Sequence, residues 1–290
     1  MADKVKFIDG KGGLPFIAVN NTKASALISI YAGQVLSYKP LGEIEDIMFV
    51  SENAYFQQGK AIKGGVPICW PWFGADITNP ERPDHGFARN NNWTVSSVDL
   101  LPGGDTRIKL ELVDSENTHK IWPYKFYLSL EIIVGDTLSL ELSTCNMGNQ
   151  PFTITEALHT YFNVGDATQV EVLGLEHAEY LNKTENYAEV CQVAAIALRS
   201  ETDRIYTDVK HDLTLVDPVF NRKIKISSSG NKNVVVWNPW SERSAEISDL
   251  NSDDYKHFVC IEIANAASST VEISPGEEYK MLTNYCVIKN

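Results

Sequence analysis

Apolar and polar residues alternate with a period of two through one short segment after another of this sequence. In TRIKLELVD, Ile108, Leu110 and Leu112 are separated by charged residues, the pattern of a strand with one face in a core and the other toward solvent. FYLSLEIIV (126–134) and TLSLELSTC (137–145) follow, joined at Gly135-Asp136 as a two-residue hairpin connection. QVEVLGL, LTLVD, KIKISSS, NVVVW, FVCIEIA and STVEIS extend the series, and helical periodicity is weak throughout. Closely spaced strands with almost no helix predict an all-β, antiparallel sandwich or barrel rather than a parallel α/β fold. No internal repeat, low-complexity tract or Pro/Gly/Ser-rich linker divides the 290 residues, so 1–290 reads as one domain.

Charge and cysteine content narrow the function classes. A net charge of -13 argues against a general nucleic-acid or anionic-membrane binder, since both need a basic surface. It leaves room for a small anion held by a local pair of cations. Five cysteines, at 69, 145, 191, 260 and 286, are odd in number and form no CxxC, which points away from a disulfide framework or a cysteine zinc site. Cys69 and Cys260 lie among apolar neighbours and read as buried thiols. The segment MADKVKFIDG lacks the apolar stretch of a secretory signal, and no apolar run approaches the ~18 residues of a membrane span. The cytoplasm is therefore the expected compartment. The N-x-T sequons at Asn20, Asn92 and Asn182 read as coincidental.

One segment breaks the strand pattern. Residues 59–93 are dense in Gly, Pro, Asn and aromatics, with three Trp and two Phe. A long connection of that composition is expected to be an ordered loop that builds a site. Within it, Lys63-Gly64-Gly65 offers a cation beside glycines whose N–H groups can approach an anion. His85 opens HGFAR, and Arg89 closes it with a planar fork suited to carboxylate or phosphate.

Two further residues stand out within strands. In FTITEALHTYFNV, alternation puts Phe152, Ile154 and Leu158 on one face and Thr153, Thr155, Ala157 and His159 on the other. His159 then faces a cleft or is a partly buried structural histidine. Glu262 interrupts the apolar run FVCIEIA, where a buried carboxylate is expensive and function is one reason to keep it. A solvent-facing edge position is the other reading. Asp203, in TDRIY, can bind a hydroxyl, orient a histidine or form an exposed ion pair. Trp70, Trp72, Phe73, Phe87, Tyr161, Phe162 and Trp237 are candidates for an apolar sugar platform or for the core.

The phrases GGVPICWPWFG (64–74), HGFAR (85–89), ALHTYFNV (157–164), TDRIY (202–206), VVWNP (235–239) and FVCIEIA (258–264), in this order, resemble those of the glucose-6-phosphate 1-epimerases. These are a branch of the aldose 1-epimerase superfamily, and the resemblance runs from about Ala26 to about Ala266. It implies a galactose-mutarotase-like β-supersandwich with its site on a concave sheet face. It further implies that His159 is the general acid at the ring oxygen and Glu262 the general base at the anomeric hydroxyl. His85 would be the second histidine on the ring-oxygen side, and Asp203 would bind sugar hydroxyls. Arg89, with Lys63 where the family typically has arginine, would hold the phosphate of a hexose phosphate. Lysine keeps the charge there but loses bidentate geometry.

The implied reaction interconverts α and β anomers by opening and closing the ring. It needs one base and one acid but no metal or redox cofactor, with Glu262 ionised and His159 protonated at the start. A monomer is the working expectation. A neutral-hexose mutarotase, a non-catalytic sugar-phosphate binder, and a metal enzyme using His85, His159 and Glu262 as a facial triad are the rival readings.

Overall fold

Two large antiparallel sheets form the body of the computed structural model, which describes residues 4–76, 79–209 and 211–289. The nine-stranded sheet runs Ile196–Ala197, Glu171–Leu173, Leu213–Asp217, Arg222–Ser229, Glu278–Lys289, Thr137–Asn146, Phe126–Val134, Thr106–Val113 and Thr94–Leu100. The second sheet runs Ala188–Cys191, Glu179–Asn182, Thr202–Thr207, Asn233–Asn238, Phe258–Asn265, Glu156–Leu158 and Ile68–Cys69, with Tyr161–Asn163 also paired to Phe258–Asn265. A four-stranded sheet over residues 5–40 and the pair Phe152–Ile154 with Val271–Ile273 complete the β structure. Among the described residues the two α-helices, Glu116–Ile121 and Trp240–Glu246, are short.

Alternation creates the core between the large sheets. Ile108, Leu110, Leu128, Leu140 and Ile224 from one sheet meet Val234, Val236, Val259, Ile261 and Ile263 from the other. The opposite face of the second sheet therefore carries Val235, Trp237, Cys260, Glu262 and Ala264. Small residues floor that face: Cys69 and Ala264 flank Ala157 in register, and all three are buried with Ile205 and Val235. Cys69 and Cys260 are buried free thiols, as expected.

The hairpin at Gly135-Asp136 forms with a small difference. Its closing pair is Val134–Leu138, so the turn holds Gly135, Asp136 and Thr137, one residue more than expected.

The loop over 59–93 is ordered by packing at its described residues; Ile77 and Thr78 lie outside them. Trp70 is buried against Phe87, Trp122 and Phe126, and its indole N–H donates to Thr144 Oγ1 at 3.0 Å. Gly86 crosses the Trp70 backbone so closely that a Cβ would sit 1.9 Å from its carbonyl oxygen. Only glycine fits there, with φ at +73°. The loop is thereby pinned with His85 and Arg89 on either side of the crossing.

Candidate active site

A cleft of about 400 Å³ opens on this face of the second sheet, lined among others by Lys63, His85, Arg89, His159, Asp203, Val235 and Glu262. All six residues singled out from the sequence thus meet in one place. The aromatics divide. Phe73, Tyr161 and Trp237 line the cleft, whereas Trp70, Phe87 and Phe162 belong to the core, with Trp72 packed against it.

Glu262 is 1% exposed and His159 7% exposed, and His159 Nε2 lies 3.4 Å from Glu262 Oε1. The register explains the meeting. Leu158 pairs with Ile263, so the next residue on one strand and the preceding one on the other converge on the open face. The imidazole stacks on Tyr161 at 4.9 Å and 9° and meets Trp237 edge-on at 5.9 Å. Its Nδ1 has no hydrogen-bond partner, and neither do Glu262 Oε2 and Arg89 Nε, although all three atoms are buried. Buried polar atoms are normally satisfied, so orphans gathered around one cleft mark a place built for a ligand.

The charge state of the pair differs from the sequence-based expectation. Burial, reinforced by Arg89 and Lys63, holds the His159 imidazolium well below the ordinary histidine range. Burial, reinforced by Asp203, raises the Glu262 carboxyl well above the ordinary range. In the ligand-free cleft the pair therefore rests neutral, with the proton on Glu262, because low polarity penalises both charges. The number of protons is the same in either arrangement; only their position differs.

His85 is held by two bonds to Gly74: its N–H donates to the Gly74 carbonyl at 2.6 Å, and its Nδ1 accepts from the Gly74 N–H at 3.2 Å. An accepting Nδ1 puts the ring proton on Nε2, so His85 is a neutral donor. Burial and Arg89 hold it neutral. Its φ of +61° is a strained conformation for a histidine, maintained by this clamp.

Cations surround the pair. Arg89 donates through Nη2 to the Asp84 carbonyl at 2.9 Å, and Lys63 pairs with Asp249 at 3.4 Å. A smaller hollow of about 220 Å³ adjoins the cleft, shares Lys63, Arg89 and Tyr161 with it, and adds Lys60. The glycines after Lys63 play a different part from the one expected. Gly65 donates its N–H to the Phe49 carbonyl, and a Cβ on it would lie 2.1 Å from the Val35 carbonyl oxygen. The pair permits a close backbone crossing rather than cradling an anion.

Sequence reasoning missed two basic lining residues, Lys183 and Arg243, and also Asp84, Glu201, Val235 and Ile247. Lys183 makes a 2.6 Å ion pair with Asp203. It sits in the sequon Asn182-Lys183-Thr184, a motif that says nothing of a cleft. Among the described residues no group of three or more His, Cys, Asp or Glu side chains has metal-holding geometry, so the facial-triad reading finds no support in the arrangement.

Two packed antiparallel sheets with a polar cleft on one face define a galactose-mutarotase-like β-sandwich. A "putative mutarotase (YeaD)" from Salmonella typhimurium superposes with a TM-score of 0.90 and 32% identity, over 99% of this chain and 97% of that one. The model of the family described as Aldose 1-epimerase matches residues 15–286, and the chain belongs to that family of isomerases. Two relatives are each named "Putative glucose-6-phosphate 1-epimerase". One, from Escherichia coli (strain K12), is 37% identical over 88% of this chain and 85% of its own. The other, from Cenchrus ciliaris, is 34% identical over 88% and 79%.

Proposed function

We propose that this chain interconverts the α and β anomers of a hexose 6-phosphate, with Glu262 as base at the anomeric hydroxyl and His159 as acid at the ring oxygen. The observation that carries the chemistry is the close, buried His159–Glu262 pair, whose remaining polar atoms lack partners. Glucose 6-phosphate is the substrate we favour, in keeping with the names of the relatives.

Ring opening takes the proton from the C1 hydroxyl, breaks C1–O5, forms the C1 carbonyl and places a proton on O5. Rotation about C1–C2 and the reverse transfers close the other anomer. Burial favours the proton on Glu262 over His159, so the cycle we propose begins with its transfer to His159. Sugar hydroxyls that donate to Glu262 stabilise its ionised form and favour that transfer. Each well-placed group contributes roughly 10²–10⁴-fold. His85, a fixed neutral donor, supports the ring-oxygen side. The chemistry requires neither a metal nor a redox cofactor.

Selectivity for phosphate rests on the hollow beside the cleft, where Lys60, Lys63 and Arg89 converge. Arg89 retains a buried Nε without a partner, and a phosphate oxygen can accept from it. One hydrophobic cluster packs residues of both large sheets together, which supports a single domain. No helix among the described residues is long and apolar enough to cross a membrane. A phosphorylated sugar, being charged, is retained inside the cell, and we assign the activity to the cytoplasm on that ground.

The test is Arg89→Leu, with exchange rates measured on glucose 6-phosphate and on glucose. Loss of one charge-assisted contact should lower kcat/KM for the phosphate by about 10- to 100-fold more than for glucose, since the altered proton affinity of His159 acts on both sugars alike. Equal losses on both sugars would remove Arg89 from the phosphate site and favour a neutral-hexose mutarotase.

A further inference from the structure

The order of strands across the second sheet gives the cleft a direction. Glu262 lies on Phe258–Asn265, and His159 follows the adjacent strand Glu156–Leu158. Ile68–Cys69 comes next, with Lys63 in the loop before it, and His85 and the short 3-10 turn Ala88–Asn90 that carries Arg89 after it. In the opposite direction the strands are Asn233–Asn238, then Thr202–Thr207 with Asp203, then Glu179–Asn182 with Lys183 just beyond its end.

A pyranose has a matching direction. From the breaking C1–O5 bond, one edge runs through O5 and C5 to C6 and its phosphate. The other runs through C2 to C3. With His159 at O5 and Glu262 at the C1 hydroxyl, the phosphate extends toward Lys63 and Arg89. The C2–C3 edge then extends toward Asp203 and Lys183. We propose that Lys183 is a specificity-determining residue that donates to a hydroxyl on the C2–C3 edge of the sugar; this rests on the epimerase reading above.

Several features fit that role. The Lys183 side chain is 27% exposed and that of Asp203 18%, so both still reach the cleft. An ammonium has three donors, and the pair with Asp203 occupies one. Donor and acceptor side by side match a sugar hydroxyl, which both accepts and donates. The backbone fixes the lysine. Tyr187 N–H donates to the Asn182 carbonyl at 2.8 Å, Thr184 Oγ1 to Asn182 Oδ1 at 2.9 Å, and Asn186 and Tyr187 turn the chain with φ of +55° and +61°.

The experiment measures exchange catalysed by wild type, Lys183→Met and Lys183→Arg on glucose 6-phosphate, 2-deoxyglucose 6-phosphate and 3-deoxyglucose 6-phosphate. Lys183→Met should lose about 10- to 100-fold in kcat/KM on glucose 6-phosphate, and Lys183→Arg should recover part of it. On the deoxy sugar that lacks the hydroxyl read by Lys183, the loss should shrink to about twofold. An equal loss on all three substrates would overturn the proposal, since a purely structural or charge-balancing role is blind to the missing hydroxyl. Failure of the wild type to accelerate any of them would remove the epimerase reading and this inference together. Thermal unfolding of each variant separates a folding defect from a lost contact.

Discussion

His159 and Glu262 share one proton in a place that penalises either charge, and their pH behaviour follows from that. A second proton binds to His159 only below the ordinary histidine value of 6.5, because burial and the Arg89 and Lys63 charges oppose it. The shared proton leaves only well above the ordinary carboxyl value of 4.5. In the ligand-free protein the His159 imidazole signals should titrate below pH 6.5, and Arg89→Leu, which removes a neighbouring cation, should move the midpoint upward. A midpoint unmoved or lowered would contradict this account of the electrostatics. Residue by residue, the sequence made much of the site legible: a histidine among small residues and a glutamate among apolar ones stood out by contrast. Lys183 did not, because it reaches the cleft only through the pairing of Glu179–Asn182 with Thr202–Thr207. The Lys63-Gly64-Gly65 phrase was misread because what approaches the glycine is protein backbone, which the local sequence does not reveal.

At the scale of the strand, Glu156 joins the two elements that carry the pair. Its Oε1 accepts from Asn265 at 3.3 Å, linking Glu156–Leu158 to the end of Phe258–Asn265, while Oε2 has no partner. Burial pushes this carboxyl up to about 8. A raised pKa favours the folded state below the unfolded value of 4.5, and that advantage disappears as pH rises through about 8. At pH 7 the burden of keeping Glu156 protonated is roughly 3 kcal/mol. Glu156→Gln should therefore unfold at higher urea concentration than wild type at pH 8, by roughly 1–3 kcal/mol, with little difference at pH 4. A difference independent of pH would show that Glu156 does not carry the proton. Strand existence was legible wherever alternation was clean, as in Thr106–Val113. Phe258–Asn265 is buried at every position, so which face held Glu262 emerged only from its neighbours. The four-stranded sheet over residues 5–40 went unread; its edge strand Val5–Asp9 exposes Phe7 and Ile8 and gives no inside-outside signal.

The whole molecule combines a net charge of -13 with a cleft and adjoining hollow that collect Lys60, Lys63, Arg89, Lys183 and Arg243. Five carboxylates, Asp84, Glu201, Asp203, Asp249 and Glu262, line the same space, so it is no basic groove for a polyanion but can hold one small anion through individual cations, in line with the charge argument made from composition. Topology gives the cleft a direction: the strand order sets Lys63 and Arg89 on one side of the His159–Glu262 pair and the Asp203–Lys183 pair on the other. The measurement that bears most directly on this account is NMR exchange between the anomers of glucose 6-phosphate, with wild type and Glu262→Gln and the spontaneous rate subtracted. Wild type should accelerate exchange, and Glu262→Gln should reduce that acceleration by roughly 10²–10⁴-fold while titration of the sugar phosphate still shows binding. Near-normal exchange by Glu262→Gln would contradict the assignment of base and acid on which the account rests.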